Sequence, residues 1–407
     1  MEYSVLSKEL TQKISKNIKK CEGIFFTPPS CIHYNIDKLS PYIDKFVNVL
    51  EPACGSGEYI NALSSRFPQL KITGIELNNT IYHSIKQLSN NNNINIENID
   101  YLTYNSTTKY DLIIGNPPFF VMKKSSVDQK YHPYFDGRPN IFILFIIKSL
   151  TLLNKDGILS FVLPKNFLNC LYYEKTRAYI YENYRILDII ECNDKYLDTQ
   201  QDTIILIIQN TCDEYDINSN YTINVHNYTI FGLPNHIDEI NKLYKDSKSL
   251  FELGFKVKVG SIVWNDCKDI LVNDKSKTRL IYSSDIVNNN VVLKTYKNKD
   301  KKNYINKDGI TNPTLVINRG YGIGEYKFEY CILTGEYEYL IENHLIYINY
   351  NGDIDNTSLL HKYHTIIKSL NNDKTKKFIS YYFGNSAINT TEMNHILPIY
   401  FEDESED

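Results

Sequence analysis

Asn116-Pro117-Pro118-Phe119 closes the apolar run Asp111-Leu112-Ile113-Ile114-Gly115 and carries the residue types of a hydrogen-bonding receptacle. The run reads as a buried strand. Two consecutive prolines fix their own φ angles and have no N–H to continue a ladder, so the strand stops abruptly. Pro117 also biases Asn116 away from the helical region. An amide side chain and bare carbonyls therefore project from the strand end, with an aromatic ring beside them. Such a cup of acceptors with a stacking wall suits the planar exocyclic amine of a nucleobase. Taken alone, the tetrapeptide also fits a Pro-rich turn with a surface Asn.

Upstream, Glu51-Pro52-Ala53-Cys54-Gly55-Ser56-Gly57 follows a strand and opens a helix. Glycines there let the backbone turn sharply and approach a ligand without Cβ atoms in the way. Glu76 ends the second strand about 20 residues on, where a carboxylate can accept both hydroxyls of a ribose. A phosphate cradle fits less well: no Gly-Lys-Ser/Thr is present, and Glu51 would repel a pyrophosphate. The combination points to a nucleoside-type cofactor. Asp100, just past the third strand, can accept a hydrogen bond from an adenine amino group or simply cap a turn.

These residues need a scaffold that brings strand ends together. Strand patterns fall at Phe46–Leu50, Lys71–Ile75, Ile94–Glu97, Asp111–Ile114, Ile158–Val162, Ile186–Ile190 and Thr203–Ile208. Helical patterns at Glu58–Phe67, Thr80–Leu88, Ile141–Leu153 and Tyr172–Glu182 lie between several of them. Strand–helix alternation predicts a doubly wound α/β (Rossmann-like) sheet covered on both faces. Ligands in such sheets bind beyond the carboxyl ends of the strands. Glu51, Glu76, Asp100 and Asn116 all fall there. Past residue 211 the pattern dissolves, with Gly232-Leu233-Pro234 as a break and a Lys-rich helix predicted over Ile237–Leu250. The expected domains are 1–230, catalytic, and 231–400, a second mixed α/β domain, followed by an acidic tail (401–407) read as disordered.

The 407 residues give ample length for a packed core, and the net charge of −4 does not announce a nucleic-acid binder. The distribution of charge says more. Residues 241–310 carry 15 Lys and Arg against 8 Asp and Glu, a block that fits either phosphate tracking or a solvated face. Eight scattered cysteines without a Cys-x-x-Cys pair, and no His-Glu-x-x-His, argue against a metal site or a disulfide framework. The run Ile141–Ile147 is interrupted by Lys148, far too early to span a bilayer. No stretch has the layout of a signal peptide, so a cytoplasmic location is expected.

The order of these pieces resembles the gamma-class (Taq-type) DNA adenine-N6 methyltransferases across nearly the full chain. The matching segments are Phe25-Phe26-Thr27-Pro28-Pro29, the Glu51–Gly55 loop, Gly74-Ile75-Glu76, Asp100 and Asn116-Pro117-Pro118-Phe119. Similarity continues through Arg138-Pro139-Asn140, the Gly157–Pro164 segment and Tyr196 before the last strand. The resemblance implies a seven-stranded S-adenosylmethionine-dependent methyltransferase domain followed by a target-recognition domain. It implies that Thr27 holds the methionine end, that Glu51, Ala53 and Gly55 line the methionine and sulfonium region, and that Glu76 and Asp100 take the ribose and adenine. Double-stranded DNA is the implied partner, with the chain monomeric, no metal, and any restriction endonuclease of the system a separate chain.

Adenine N6 is a poor nucleophile, because its lone pair is delocalised into the ring. Acceptance of its two hydrogens by the Asn116 side chain and the Pro117 carbonyl would free that lone pair. The base must be flipped out of the duplex to be reached. Phe119 would then stack on one face and, from the resemblance, Tyr196 on the other. The loop Arg319-Gly320-Tyr321-Gly322-Ile323-Gly324 reads either as a close approach to DNA led by Arg319 or as a Gly-rich hairpin turn. Trp264, the sole tryptophan, is expected in the core. An RNA N-methyltransferase or a protein glutamine methyltransferase could use the same tetrapeptide. A non-catalytic DNA-binding module is disfavoured by the intact Asn116, Gly55 and Glu76.

Overall fold

The computed structural model describes residues 2–199, 201–211, 218–319, 327–382 and 388–401. They form two compact units that divide between Ile237 and Asp238.

The first unit begins with three helices not anticipated from the sequence: α1 (Val5–Lys13), α2 (Lys16–Glu22) and α3 (Pro29–Ile43). Ser4 and Ser15 cap the first two, their hydroxyls accepting the N–H groups of Ser7 and Ile18 and so satisfying donors that a helix start leaves free. Then come β1 (Asn48–Glu51), α4 (Glu58–Arg66), β2 (Lys71–Ile75), α5 (Asn79–Ile85), β3 (Ile94–Glu97) and β4 (Tyr110–Gly115). The series closes with α6 (Ile141–Leu152), β5 (Leu153–Pro164), α7 (Glu174–Asn183), β6 (Arg185–Cys192) and β7 (Thr203–Gln209).

The seven strands form one sheet in the order β3-β2-β1-β4-β5-β7-β6. The pairings from β3 to β5 are parallel, whereas β7 runs antiparallel to both β5 and β6. Side chains alternate between the faces of a strand, and two cores result. Ile113, Leu159, Leu206 and Ile208 pack on one side with α6, while Leu112, Ile114, Ile158, Ile205 and Ile207 pack on the other with residues of α3 and α4. Helix α6 is buried along nearly its whole circumference, as expected of a helix that is apolar all round. Its one charged residue, Lys148, donates to the carbonyls of Leu102 (3.0 Å) and Tyr104 (2.6 Å), and burial lowers its ammonium to about 8. The doubly wound methyltransferase-type sheet expected from the sequence is present, and a mixed α/β second unit follows it.

Several boundaries differ from expectation. β1 runs over Asn48–Glu51 rather than Phe46–Leu50, and β5 starts at Leu153, directly after α6 with no loop. The helix expected over Thr80–Leu88 is α5 continued by a 3-10 segment, Lys86–Asn90. The helix expected over Ile237–Leu250 instead occupies Pro234–Tyr244, and Ser247–Lys248 is a short strand paired with Ile399–Tyr400. Asp246, at φ +57°, makes the turn between them.

In the second unit, Phe255–Val259, Leu345–Tyr350, Thr314–Asn318 and Tyr330–Leu333 form a four-stranded antiparallel sheet. A second four-stranded sheet and the helices Asn356–Leu370 and Asp373–Tyr382 complete it. Trp264 is not a fully buried core residue. It lies half-buried beside a small cluster that includes Ile262 and Leu280, with the Lys268 and Lys301 ammoniums 5.6 and 5.8 Å from its ring centroid, which keeps one part of the ring near cations. Residues 402–407, expected to be disordered, lie outside the described residues, as does Cys212. Among the described residues no helix is long and apolar enough to cross a membrane.

Candidate active site

Four strand ends of the first unit converge on a cavity of about 270 Å³. β1 contributes Pro52, Ala53 and Gly55 from the loop after it; β2 contributes Glu76 and Leu77; Ile99 and Asp100 follow β3; and Asn116 and Pro118 follow β4. Residues Cys21–Phe26 at the end of α2 form the remaining side, with Phe120, Met122, Ile141 and Phe145.

Glu76 is the best-defined group in the site. Its Oε2 accepts the Gly55 N–H at 2.9 Å and its Oε1 accepts the Asn78 N–H at 2.7 Å. The carboxyl therefore clamps the glycine loop to the start of α5. Burial nevertheless pushes it up to about 7, with those two N–H groups opposing the rise. Glu51 is buried more completely. Burial first, and then the charge of Glu76, push it well above the usual carboxylate range, and its Oε2 has no hydrogen-bond partner. Among the described residues no cation pairs with either acid, which makes the site suited to a cationic ligand that also carries hydroxyls. Close packing explains Gly115, since a Cβ there would stand 3.3 Å from Glu51 Cγ.

Asn116 has one satisfied and one unsatisfied end. Its Nδ2 donates to the Phe25 carbonyl at 3.1 Å, while its Oδ1 is shielded from solvent and makes no hydrogen bond. The backbone just beyond the tetrapeptide is held by Pro139 and Ile141: Met122 N–H donates to the Pro139 carbonyl and Ile141 N–H to the Phe120 carbonyl, at 2.8 and 2.9 Å. Phe119 is half-buried and packs edge-on against Phe142, with centroids 5.8 Å apart.

Of the residues singled out in the sequence, Ala53, Gly55, Glu76, Asp100, Asn116 and Pro118 line the cavity. Thr27, Glu51, Pro117 and Phe119 are instead chain neighbours of lining residues; the first three are buried. Asp100 combines both of its readings, since it lines the cavity while its Oδ1 accepts the Leu102 N–H at 2.8 Å. Tyr196 is set apart. It is buried to 8% exposure, and its hydroxyl lies 3.3 Å from that of Thr203. Arg319 directly follows the Thr314–Asn318 strand in the second unit, and residues 320–324 of its loop lie outside the described residues. Among the described residues no group of three or more His, Cys, Asp or Glu is placed to hold a metal ion.

Sequence reasoning missed Leu77 and Ile99, which are apolar yet 60% and 36% exposed and line the cavity. Their signal was positional. Each adjoins a singled-out acid at a strand end, where a flat apolar surface can sandwich a nucleobase. Gly23 was also missed, and Phe25, noted only as part of the Phe25–Pro29 segment, was not foreseen as a partner of Asn116; neither contact left a local signal, because both reach the site from far along the chain.

Residues 22–197 match the family model described as Eco57I restriction-modification methylase. The modification methylase CviBIII of Paramecium bursaria Chlorella virus NC1A is 32% identical over 220 residues, covering 52% of this chain and 55% of that protein. The type II methyltransferase M.CvrRI of Paramecium bursaria Chlorella virus XZ-6E is 26% identical over 351 residues, covering 84% of this chain and 86% of that protein. The chain thus spans about half the length of the first relative and most of the second. The cryoEM structure of a DrdV–DNA complex shares the fold over 98% of this chain and 57% of that one, with a TM-score of 0.56 and 12% identity. The chain is similar in sequence to type II methyltransferases.

Proposed function

We propose that this protein, similar in sequence to type II methyltransferases, is a DNA adenine-N6 methyltransferase that uses S-adenosylmethionine. One observation carries the acceptor assignment: Asn116 is held through its Nδ2 on the Phe25 carbonyl, so its unpartnered Oδ1 is fixed as an acceptor at the end of β4. A buried acceptor left empty costs about 1–3 kcal/mol, and an amine that donates to it recovers that cost. The similarity to restriction-modification methylases supports DNA as the source of the amine.

The cavity fits the cofactor. Glu76 takes the ribose hydroxyls, Asp100 the adenine amino group, and Leu77 and Ile99 its faces, while Glu51, Ala53, Gly55 and Thr27 surround the methionine and sulfonium end. Bound there, S-adenosylmethionine supplies an electrophilic methyl group on a positively charged sulfur. Burial and the Glu76 charge raise the Glu51 carboxyl, and a sulfonium charge beside it would act in the opposite direction.

At the acceptor side, the Asn116 Oδ1 and the Pro117 carbonyl accept the two N6 hydrogens of a flipped adenine. The nitrogen is drawn toward tetrahedral geometry, and its lone pair is released from the ring for attack. Once methylated, N6 carries one proton in excess and loses it to water as the product base leaves the site. No ionised base is needed, because neutral acceptors stabilise the positive charge that grows on N6. Phe119 stacks on the flipped base; the opposite face is given to Tyr196 on the family resemblance alone, since that residue is buried outside the cavity lining. Residues 231–400 are the target-recognition domain, with Arg319 among its DNA contacts.

Incubation of the protein with duplex DNA and labelled cofactor, followed by mapping of N6-methyladenine, tests the assignment and yields the recognition sequence. Methylated RNA with untouched DNA would replace it with an RNA methyltransferase.

The raised Glu76 carboxyl gives a pH dependence with a definite sign. The folded free protein holds a proton at Glu76 that the unfolded chain releases above 4.5. That contribution to stability is full below 4.5 and is lost as pH rises through about 7. Cofactor binding runs the other way, because the ribose is held by the ionised carboxylate. Affinity is therefore expected to fall about tenfold for each pH unit below the Glu76 titration. Titration calorimetry across this window checks it against Glu76→Gln, which should flatten the profile. Parallel profiles for the two proteins would remove Glu76 as the titrating group.

A further inference from the structure

The acceptor tetrapeptide is braced by a segment far from it in sequence. α2 ends at Gly23, which adopts φ +66°, a conformation that favours glycine. A Cβ on Gly23 would stand 2.7 Å from the Phe119 nitrogen, 2.9 Å from Pro118 Cβ and 3.1 Å from Phe120 Cδ1. The first two contacts are closer than real Cβ atoms come, and the nearest is to backbone, so the tetrapeptide rests directly on Gly23. Two residues on, the Phe25 carbonyl takes the Asn116 Nδ2 and thereby decides which way the amide oxygen points.

The brace is itself anchored. The N–H groups of Gly23 and Ile24 both donate to the Lys19 carbonyl, and the buried Lys19 ammonium donates to the Thr11 carbonyl (2.8 Å) and to Asp198 (2.6 Å). Glu22, next to Gly23, accepts the Asn78 Nδ2 at 2.8 Å, and the Asn78 N–H is one of the two donors on Glu76. An unbroken series of contacts thus joins the carboxylate on the ribose side of the cavity to the backbone of the tetrapeptide.

We propose that Gly23 and the Phe25 carbonyl are positioning elements of the acceptor site: Gly23 sets the depth of Pro118 and Phe119, and Phe25 sets the rotation of the Asn116 amide. This rests on the acceptor assignment made above. Neither residue touches the reacting atoms. Both hold the two acceptors where an amine can meet them, and a displacement of about 1 Å in such a geometry can cost on the order of a hundredfold in rate.

Gly23→Asn tests the proposal, because asparagine tolerates positive φ among residues that carry a Cβ. Gly137→Asn is the control: Gly137 has the same φ of +66°, but the nearest atom to an added Cβ is 4.0 Å away, on Tyr172. On the mapped DNA site and at saturating cofactor, Gly23→Asn is expected to slow single-turnover methylation by about ten- to a hundredfold, with any loss of cofactor affinity well below the loss of rate. Its crystal structure should show Pro118 and Phe119 displaced and the Asn116–Phe25 bond lengthened. The control should match wild type in all three. Should Gly23→Asn fail to fold, Gly23→Ala adds the same Cβ with less bulk. A rate equal to the control overturns the proposal, and so does a loss of cofactor affinity as large as the loss of rate. Should wild type leave DNA adenine unmethylated, the acceptor assignment falls on its own, and an undisplaced tetrapeptide in the variant structure would then overturn the brace as well.

Discussion

Asn116→Ala is expected to lower methyl transfer to DNA by about 10²–10³-fold with S-adenosylmethionine affinity unchanged. The magnitude follows from the geometry. In the proposed mechanism Asn116 contributes one of two acceptors, and its Oδ1 is held in place by the Nδ2 bond to Phe25, so the expected effect is concentrated where positive charge would grow on N6. Truncation removes that acceptor and leaves the Phe25 carbonyl without its donor. Glu76 and Gly55, proposed to hold the cofactor, come from other strand ends, and the hydrogen bond between them is independent of Asn116. Single-turnover methylation beside equilibrium cofactor binding separates the two effects. Full residual turnover would sink the mechanism, and a parallel collapse of cofactor affinity would turn Asn116 into a cofactor ligand.

Glu76→Ala should produce the converse. Hydrogen bonds to a charged group contribute about 1.5–3 kcal/mol each, so loss of both ribose contacts predicts a fall in cofactor affinity on the order of 10²-fold or more. The Gly55 and Asn78 N–H groups also lose their acceptor, which loosens the glycine loop. With cofactor supplied in large excess, methyl transfer should recover toward the wild-type rate, because the proposed role of Glu76 is at the ribose and not at the reacting atoms. Titration calorimetry and turnover at saturating cofactor read the two halves. Unchanged affinity would contradict the ribose assignment.

The parts of the site legible in the sequence are those built by consecutive residues. β2 and β3 occupy the stretches expected of them, Lys71–Ile75 and Ile94–Glu97, because short β-branched runs bounded by turn residues read as strands, whether inside the sheet as β2 is or at its edge as β3 is. Glu76 and Asn116 were visible because each stops such a run. The start of β5 was hidden, since Asn154-Lys155-Asp156-Gly157 looks like a loop yet lies within the strand. The shortened helix at Pro234–Tyr244 was hidden for a different reason: the strand that replaces its end pairs with Tyr400, and no local pattern announces so distant a partner. The same holds for Phe25, which meets Asn116 across 91 positions. Local sequence specifies what projects from a strand end, and long-range packing specifies which way it points.

The antiparallel insertion of β7 also bears on how the chain reaches this state. β7 is the last of the seven strands in sequence, yet it sits between β5 and β6. Until residues 203–209 have left the ribosome, β5 presents a long unpaired edge and β6 has no partner in the sheet. Thr203-Ile204-Ile205-Leu206-Ile207-Ile208-Gln209 itself carries no charge and no proline, with six of its seven residues buried once folded, the composition of a segment prone to stack with copies of itself. The nascent chain therefore passes through an interval in which its most self-adhesive strand and that strand's future slot are exposed together, and chains truncated before residue 203 should aggregate rather than persist as a smaller soluble domain.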